Sequence, residues 1–93
     1  MMTKFEKNNN KKMNVHILVI VRKTKQGSDQ DIIGVYKNEN DARYVMKDLF
    51  EKEKQFFEKH EEQLTNIIIW TSRCEFTSGD VTYQYYINTK RLN

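Results

Sequence analysis

Residues 31–57 read DIIGVYKNENDARYVMKDLFEKEKQFF, and inside this stretch the apolar repeat changes from every second residue to every third or fourth. Its first part, Asp31 to Tyr36, is a short β-branched run in which Gly34 marks a bulge or the close approach of the helix that follows. Lys37 to Asp41 then carries the signals of a helix start. Asn38 is placed to cap it, Asp41 stands three residues on in the capping-box position, and acidic residues fill the first turn. Beyond that point Ala42, Val45, Met46, Leu49, Phe50, Phe56, Phe57 and Leu64 share one helical arc of about 140°. Lys47, Glu51, Lys54, Gln55, Glu58 and Glu62 lie opposite. Neither Gly nor Pro interrupts the pattern, which predicts a helix from Asn38 to about Leu64, or to the Thr65-Asn66 pair.

On the N-terminal side, Met13 to Val21 (MNVHILVIV) is apolar in both alternating sets apart from Asn14 and His16, as expected of a central strand. The polar stretch Arg22 to Gln30, with its Gly27-Ser28-Asp29 turn signal, joins it to the Asp31–Tyr36 run as a hairpin. On the C-terminal side, residues 66–76 (NIIIWTSRCEF) and 81–88 (VTYQYYIN) form a second hairpin around Thr77-Ser78-Gly79-Asp80. In the last strand Val81, Tyr83, Tyr85 and Ile87 are expected inside, which leaves Tyr86 outside. The order strand, strand, helix, strand, strand predicts a two-layer α+β domain, ββαββ, with one long helix on a four-stranded, mainly antiparallel sheet. A right-handed crossover then brings the first and third strands together in the middle. Residues 1–12 (MMTKFEKNNNKK) show no period and read as a disordered basic tail; residues 13–93 form the single domain.

One helix covers one face of a sheet, yet the central strands are apolar on both. Ile67 and Ile69 alternate with Ile68 and Trp70, so an uncovered apolar patch is expected on the far side. A helix of Asn38–Leu64 would be about 38 Å long against about 27 Å for strands of eight residues, so its distal end is expected to overhang the sheet. These two features make Phe56, Phe57, His60, Ile67 and Ile69 the candidate protein-binding residues.

Sixteen Lys and Arg against thirteen Asp and Glu leave a net charge of +3, too mild to define a nucleic-acid binder by itself. The charge is unevenly spread: residues 38–64 carry −3 and the rest +6. Lys11, Lys12, Arg22, Lys23 and Lys25 are the candidate contacts to a phosphate backbone. The lone Cys74 predicts a reduced, cytoplasmic protein, and no apolar run is long enough to span a bilayer or serve as a leader. His16, His60 and Cys74 stand at no metal-ligand spacing, and three isolated glycines build no phosphate loop, so neither metal nor cofactor is expected. Glu53 and His60, seven residues apart on one helical face, are the nearest approach to an acid-base pair.

Ile33-Gly34-Val35-Tyr36-Lys37-Asn38-Glu39-Asn40-Asp41-Ala42 resembles a recurrent junction in small uncharacterised strand-strand-helix-strand-strand proteins of phages and mobile elements. That resemblance implies a small accessory protein that binds and modulates a host or defence component, and it carries no active-site residue with it. The expectation is therefore a non-enzymatic interaction protein and possible inhibitor, acting alone or as a homodimer. The alternative is a nucleic-acid-associated protein. An enzyme using Glu53 and His60 ranks third.

Overall fold

A computed structural model describes residues 13–60 and 63–92. The expected tail, with Lys11 and Lys12, lies outside the described residues. The chain forms β1 (Met13–Thr24), β2 (Gly27–Tyr36), α1 (Glu39–Lys59), β3 (Leu64–Ile69), β4 (Arg73–Ser78) and β5 (Val81–Leu92). The sheet has five strands in the order β2-β1-β5-β4-β3, antiparallel at every pairing. The α+β class and the helix-on-sheet layering hold; the four-strand count does not. Residues 66–76 are not one strand, because the chain turns a corner at Trp70–Ser72 and re-enters the sheet as β4. The Trp70 N–H donates to the Arg73 carbonyl at 2.7 Å, and the Ile87 N–H to the Ser72 carbonyl at 3.0 Å, which pins that corner to β5.

The centre of the sheet also differs from expectation. β5, not the strand after the helix, lies beside β1, and it pairs with it from Met13↔Leu92 to Lys23↔Thr82. Two twelve-residue strands satisfy each other's backbone groups along nearly their whole length, so they form the spine of the sheet. The crossover through α1 instead carries the chain from the β2 edge to the β3 edge.

Asn38 caps the helix as the sequence predicts, its Oδ1 accepting from the Asn40 N–H at 2.8 Å. The helix stops at Lys59, five residues short of Leu64, which begins β3. It is therefore about 31 Å long. The central strands reach about 40 Å, so the expected overhang is reversed and the sheet outruns the helix.

Ala42, Met46 and Phe50 recur every fourth residue on the buried side of α1, with the smallest first. They close over Leu18 and Ile20 of β1, Cys74 and Phe76 of β4 and Tyr85 of β5. Phe50 meets Phe76 and Tyr85 edge-on, with ring centroids 5.8 and 5.9 Å apart. Tyr83 and Tyr85 turn inward as expected. In β2 the bulge falls at Ile33: the register steps from Leu18↔Gly34 to Val19↔Ile32. The close approach at Gly34 comes from Tyr36 rather than from the helix, since a Cβ there would lie 2.7 Å from the Tyr36 hydroxyl.

Candidate binding surface: the open face of the sheet

Leu18, Ile20, Phe76 and Tyr85 face the helix, so the alternate residues of each strand form the opposite face, which no element of the described chain covers. The pairings arrange that face in four rows running from β2 towards β4 and β3. Val35, Ile17 and Asn88 make the first; Ile32, Val19, Tyr86 and Arg73 the second. Gln30, Val21, Gln84, Glu75 and Ile68 make the third; Ser28, Lys23, Thr82, Thr77 and Thr65 the fourth.

The β2–β1 half is apolar in its first two rows and takes in Gln30, Ser28 and Lys23 in the last two. Val19 is only 3% exposed although no helix lies over it, because Ile32 and Tyr86 flank it in its row. The shielding residues carry the exposure instead: Ile32 is 64% and Val35 60% exposed. The bulge at Ile33 accounts for this. One extra residue brings Ile32 and Val35, three apart in sequence, onto the same face.

The β5–β4 half is polar and largely self-satisfied. Glu75 Oε1 accepts from Arg73 Nη2 at 2.7 Å and from Gln84 Nε2 at 3.0 Å, and the Glu75 side chain is 13% exposed. Thr77 and Thr82 share a hydrogen bond of 3.0 Å between their hydroxyls. Next to this network the Arg73 guanidinium lies 5.6 Å from the centroid of the Trp70 ring. Trp70, Ser72, Arg73, Gln84, Tyr86 and Lys23 wall a shallow hollow of about 540 Å³.

The sequence-predicted residues fall in several places. Phe57 packs into the core, its ring 5.7 Å from Phe76 and 5.3 Å from Tyr83. Phe56 stays outside, with the His60 ring 4.4 Å away and His60 Nδ1 donating to the Phe56 carbonyl at 2.8 Å. Among the described residues, a groove of about 600 Å³ beside Phe56 is lined by side chains of α1 alone. Ile67 and Ile69 are exposed on β3, the short edge strand, which is itself bulged near Asn66 at φ 51°. Arg22 is held by Asp31 at 3.1 Å, Lys25 sits in the β1–β2 turn, and Lys23 lines the open-face hollow.

His60 is turned back onto its own helix, its Nδ1 donating to the Phe56 carbonyl. Burial pushes the Cys74 thiol above its ordinary value, which disfavours the thiolate. Among the described residues there is no group of three metal-binding side chains, and no helix is long and apolar enough to cross a membrane.

Sequence reasoning passed over Ile32, Val35 and the Trp70–Arg73 pair. The Ile32-Ile33 doublet before Gly34 was a usable signal of a bulge, and Thr71-Ser72 of a corner. No protein-family model, curated protein or solved structure matches the chain.

Proposed function

We propose that the chain is a small non-enzymatic interaction module that seats a partner protein on the β2–β1 half of its open sheet face. The observation that carries this reading is the exposure of Ile32 and Val35 beside Val19 and Ile17 on a face the helix leaves bare. Leaving such a patch wet forgoes roughly 25 cal/mol for each Å² of apolar surface, which a partner's apolar side chains recover. β2 is also a sheet edge, so its outer row of backbone N–H and C=O groups is free of any strand of the described chain. A partner strand laid along that edge gains main-chain hydrogen bonds, and Ile32 and Val35 supply the side-chain contacts. The likeness of the β2–α1 junction to phage and mobile-element proteins makes a host or defence component the partner class.

The test pairs two surface variants in recovery of partners from the native host, with circular dichroism confirming the fold of each. Ile32→Glu combined with Val35→Glu is expected to abolish recovery of a partner that wild type and Phe56→Glu both retain. Loss with Phe56→Glu alone moves the site to the end of the helix. Retention by all three removes the open face as the binding surface.

A further inference from the structure

Trp70 is the chain's one tryptophan, and it is 59% exposed at a corner whose backbone is tied to both β4 and β5. A large indole held in the open by a pinned backbone is poorly explained by packing, since it contributes nothing to the core. Its neighbours have a consistent chemistry. The Arg73 guanidinium lies over its ring at 5.6 Å from the centroid, and Glu75 accepts a hydrogen bond from Arg73 Nη2. Tyr86 lines the same hollow from the central strand of the sheet. Gln84, which also lines the hollow, spends its Nε2 on Glu75. Lys23 enters from the next row but one.

We infer that this hollow binds single-stranded nucleic acid, with a base stacked at Trp70 and Tyr86 and the adjoining phosphate met by Lys23. Flat aromatic side chains beside a planar guanidinium match the faces of unpaired bases, and stacking of this kind tolerates any base. Charge agrees. The four rows of the open face hold two cations, Lys23 and Arg73, and one carboxylate, Glu75, which is covered by its own partners. Of the two cations lining the hollow, Arg73 is paired with Glu75, and Lys23 has no ion pair among the described residues. The volume, about 540 Å³, falls within the roughly 300–1,000 Å³ of small-ligand sites. The inference does not use the aliphatic residues Ile17, Val19, Ile32 and Val35, and it moves nucleic-acid contact from the tail and turn lysines to the sheet.

Because Trp70 is the sole tryptophan, its fluorescence reports on the hollow and not on lysines elsewhere. The full chain is titrated with oligouridylate and oligothymidylate of about ten nucleotides, with a duplex of equal length and with an oligoglutamate peptide. The expected result is quenching of Trp70 by one or both single strands and not by duplex or peptide. RNA over DNA would place a 2′-hydroxyl contact in the site; equal response would leave the sugar unread. In anisotropy with the same strands, Trp70→Ala is expected to weaken binding five-fold or more, and Trp70→Phe to keep most of it. Lys23→Ala should lower the salt slope by about one. Phe56→Ala, remote from the hollow, serves as the unaffected control. Absence of quenching by either single strand at about 50 mM salt, or unchanged affinity in Trp70→Ala, overturns the inference. Equal quenching by oligoglutamate reassigns the hollow to acidic peptide.

Discussion

The two halves of the open sheet face share one sheet and its pleat but not their chemistry. Across the first two rows of β2 and β1 the outward side chains are aliphatic, before Gln30, Ser28 and Lys23 enter in the next two, and the outermost aliphatics, Ile32 and Val35, have no neighbour to cover them. Across β5 and β4 they are polar, and most of their hydrogen-bonding capacity is spent within the face, in the Arg73–Glu75–Gln84 network and the Thr77–Thr82 pair. A bare sheet face is thus not uniformly adhesive. The aliphatic half gains from contact with another apolar surface, whereas the polar half offers what its network leaves over, the Trp70 and Tyr86 rings, beside the Lys23 ammonium of β1.

The largest expected effect removes the support that both halves rest on. Phe50→Ala deletes the ring wedged against Phe76 and Tyr85, and a loss of about 3–5 kcal/mol in urea unfolding is expected, with both halves failing together. If one half kept its binding under these conditions, the halves would be separate cooperative units.

Next in size is a change confined to the polar half. Glu75→Ala leaves Arg73 and the Gln84 amide without their shared acceptor, at a cost of about 1–2 kcal/mol given the partial exposure of Arg73. The variant should also free the Arg73 guanidinium and alter Trp70 emission, while partner binding at Ile32 and Val35 persists.

A third change, of opposite sign, lies on the covered face between the two strands of the spine. The Tyr85 hydroxyl is buried with no hydrogen-bond partner among the described residues. Burial, with Glu53 adding to it, pushes its ionisation well above the ordinary value of 10.0. A folded-state value above the unfolded one means that its contribution is complete below pH 10.0 and declines as pH rises beyond it, because only the unfolded chain then releases the proton. Tyr85→Phe removes an unsatisfied buried group, so a gain of up to about 1 kcal/mol is expected at neutral pH. Unfolding curves at neutral and alkaline pH should show that gain growing as pH rises above 10.0. Cys74, shifted the same way by burial, starts a similar decline near its ordinary value of 9.0, so Cys74→Ala separates the two contributions.

The smallest effect on stability is expected in the aliphatic half. Ile32→Thr with Val35→Thr alters exposed side chains and should change unfolding free energy by no more than about 0.5 kcal/mol. A loss of 2 kcal/mol or more, on the scale of a buried side chain, would show that these residues are already covered in solution, for instance by another copy of the chain.

Much of this was legible in the order of residues. The cap at Asn38, the inward face of α1, and the inward Tyr83 and Tyr85 all follow from local periodicity, because each depends on neighbours within one or two turns or one strand. Phe56 and Phe57 lie in the same helical arc, yet Phe57 is drawn against Phe76 and Tyr83 while Phe56 remains in solvent. Which of two adjacent aromatics is buried depended on where the helix crosses the sheet, and periodicity carries no term for that.

The amino-acid sequence determined the kind of object this is: an amphipathic helix laid over β-rich hairpins, with apolar residues enough for more than one face. The tertiary structure alone decided that β5 lies beside β1, that residues 66–76 break at Trp70–Ser72 into two strands, and that an extra residue at Ile33 sets Ile32 and Val35 side by side. The reason is physical. Periodicity records what each residue prefers towards water, whereas pairing, corners and bulges are settled by hydrogen bonds between segments far apart in the chain.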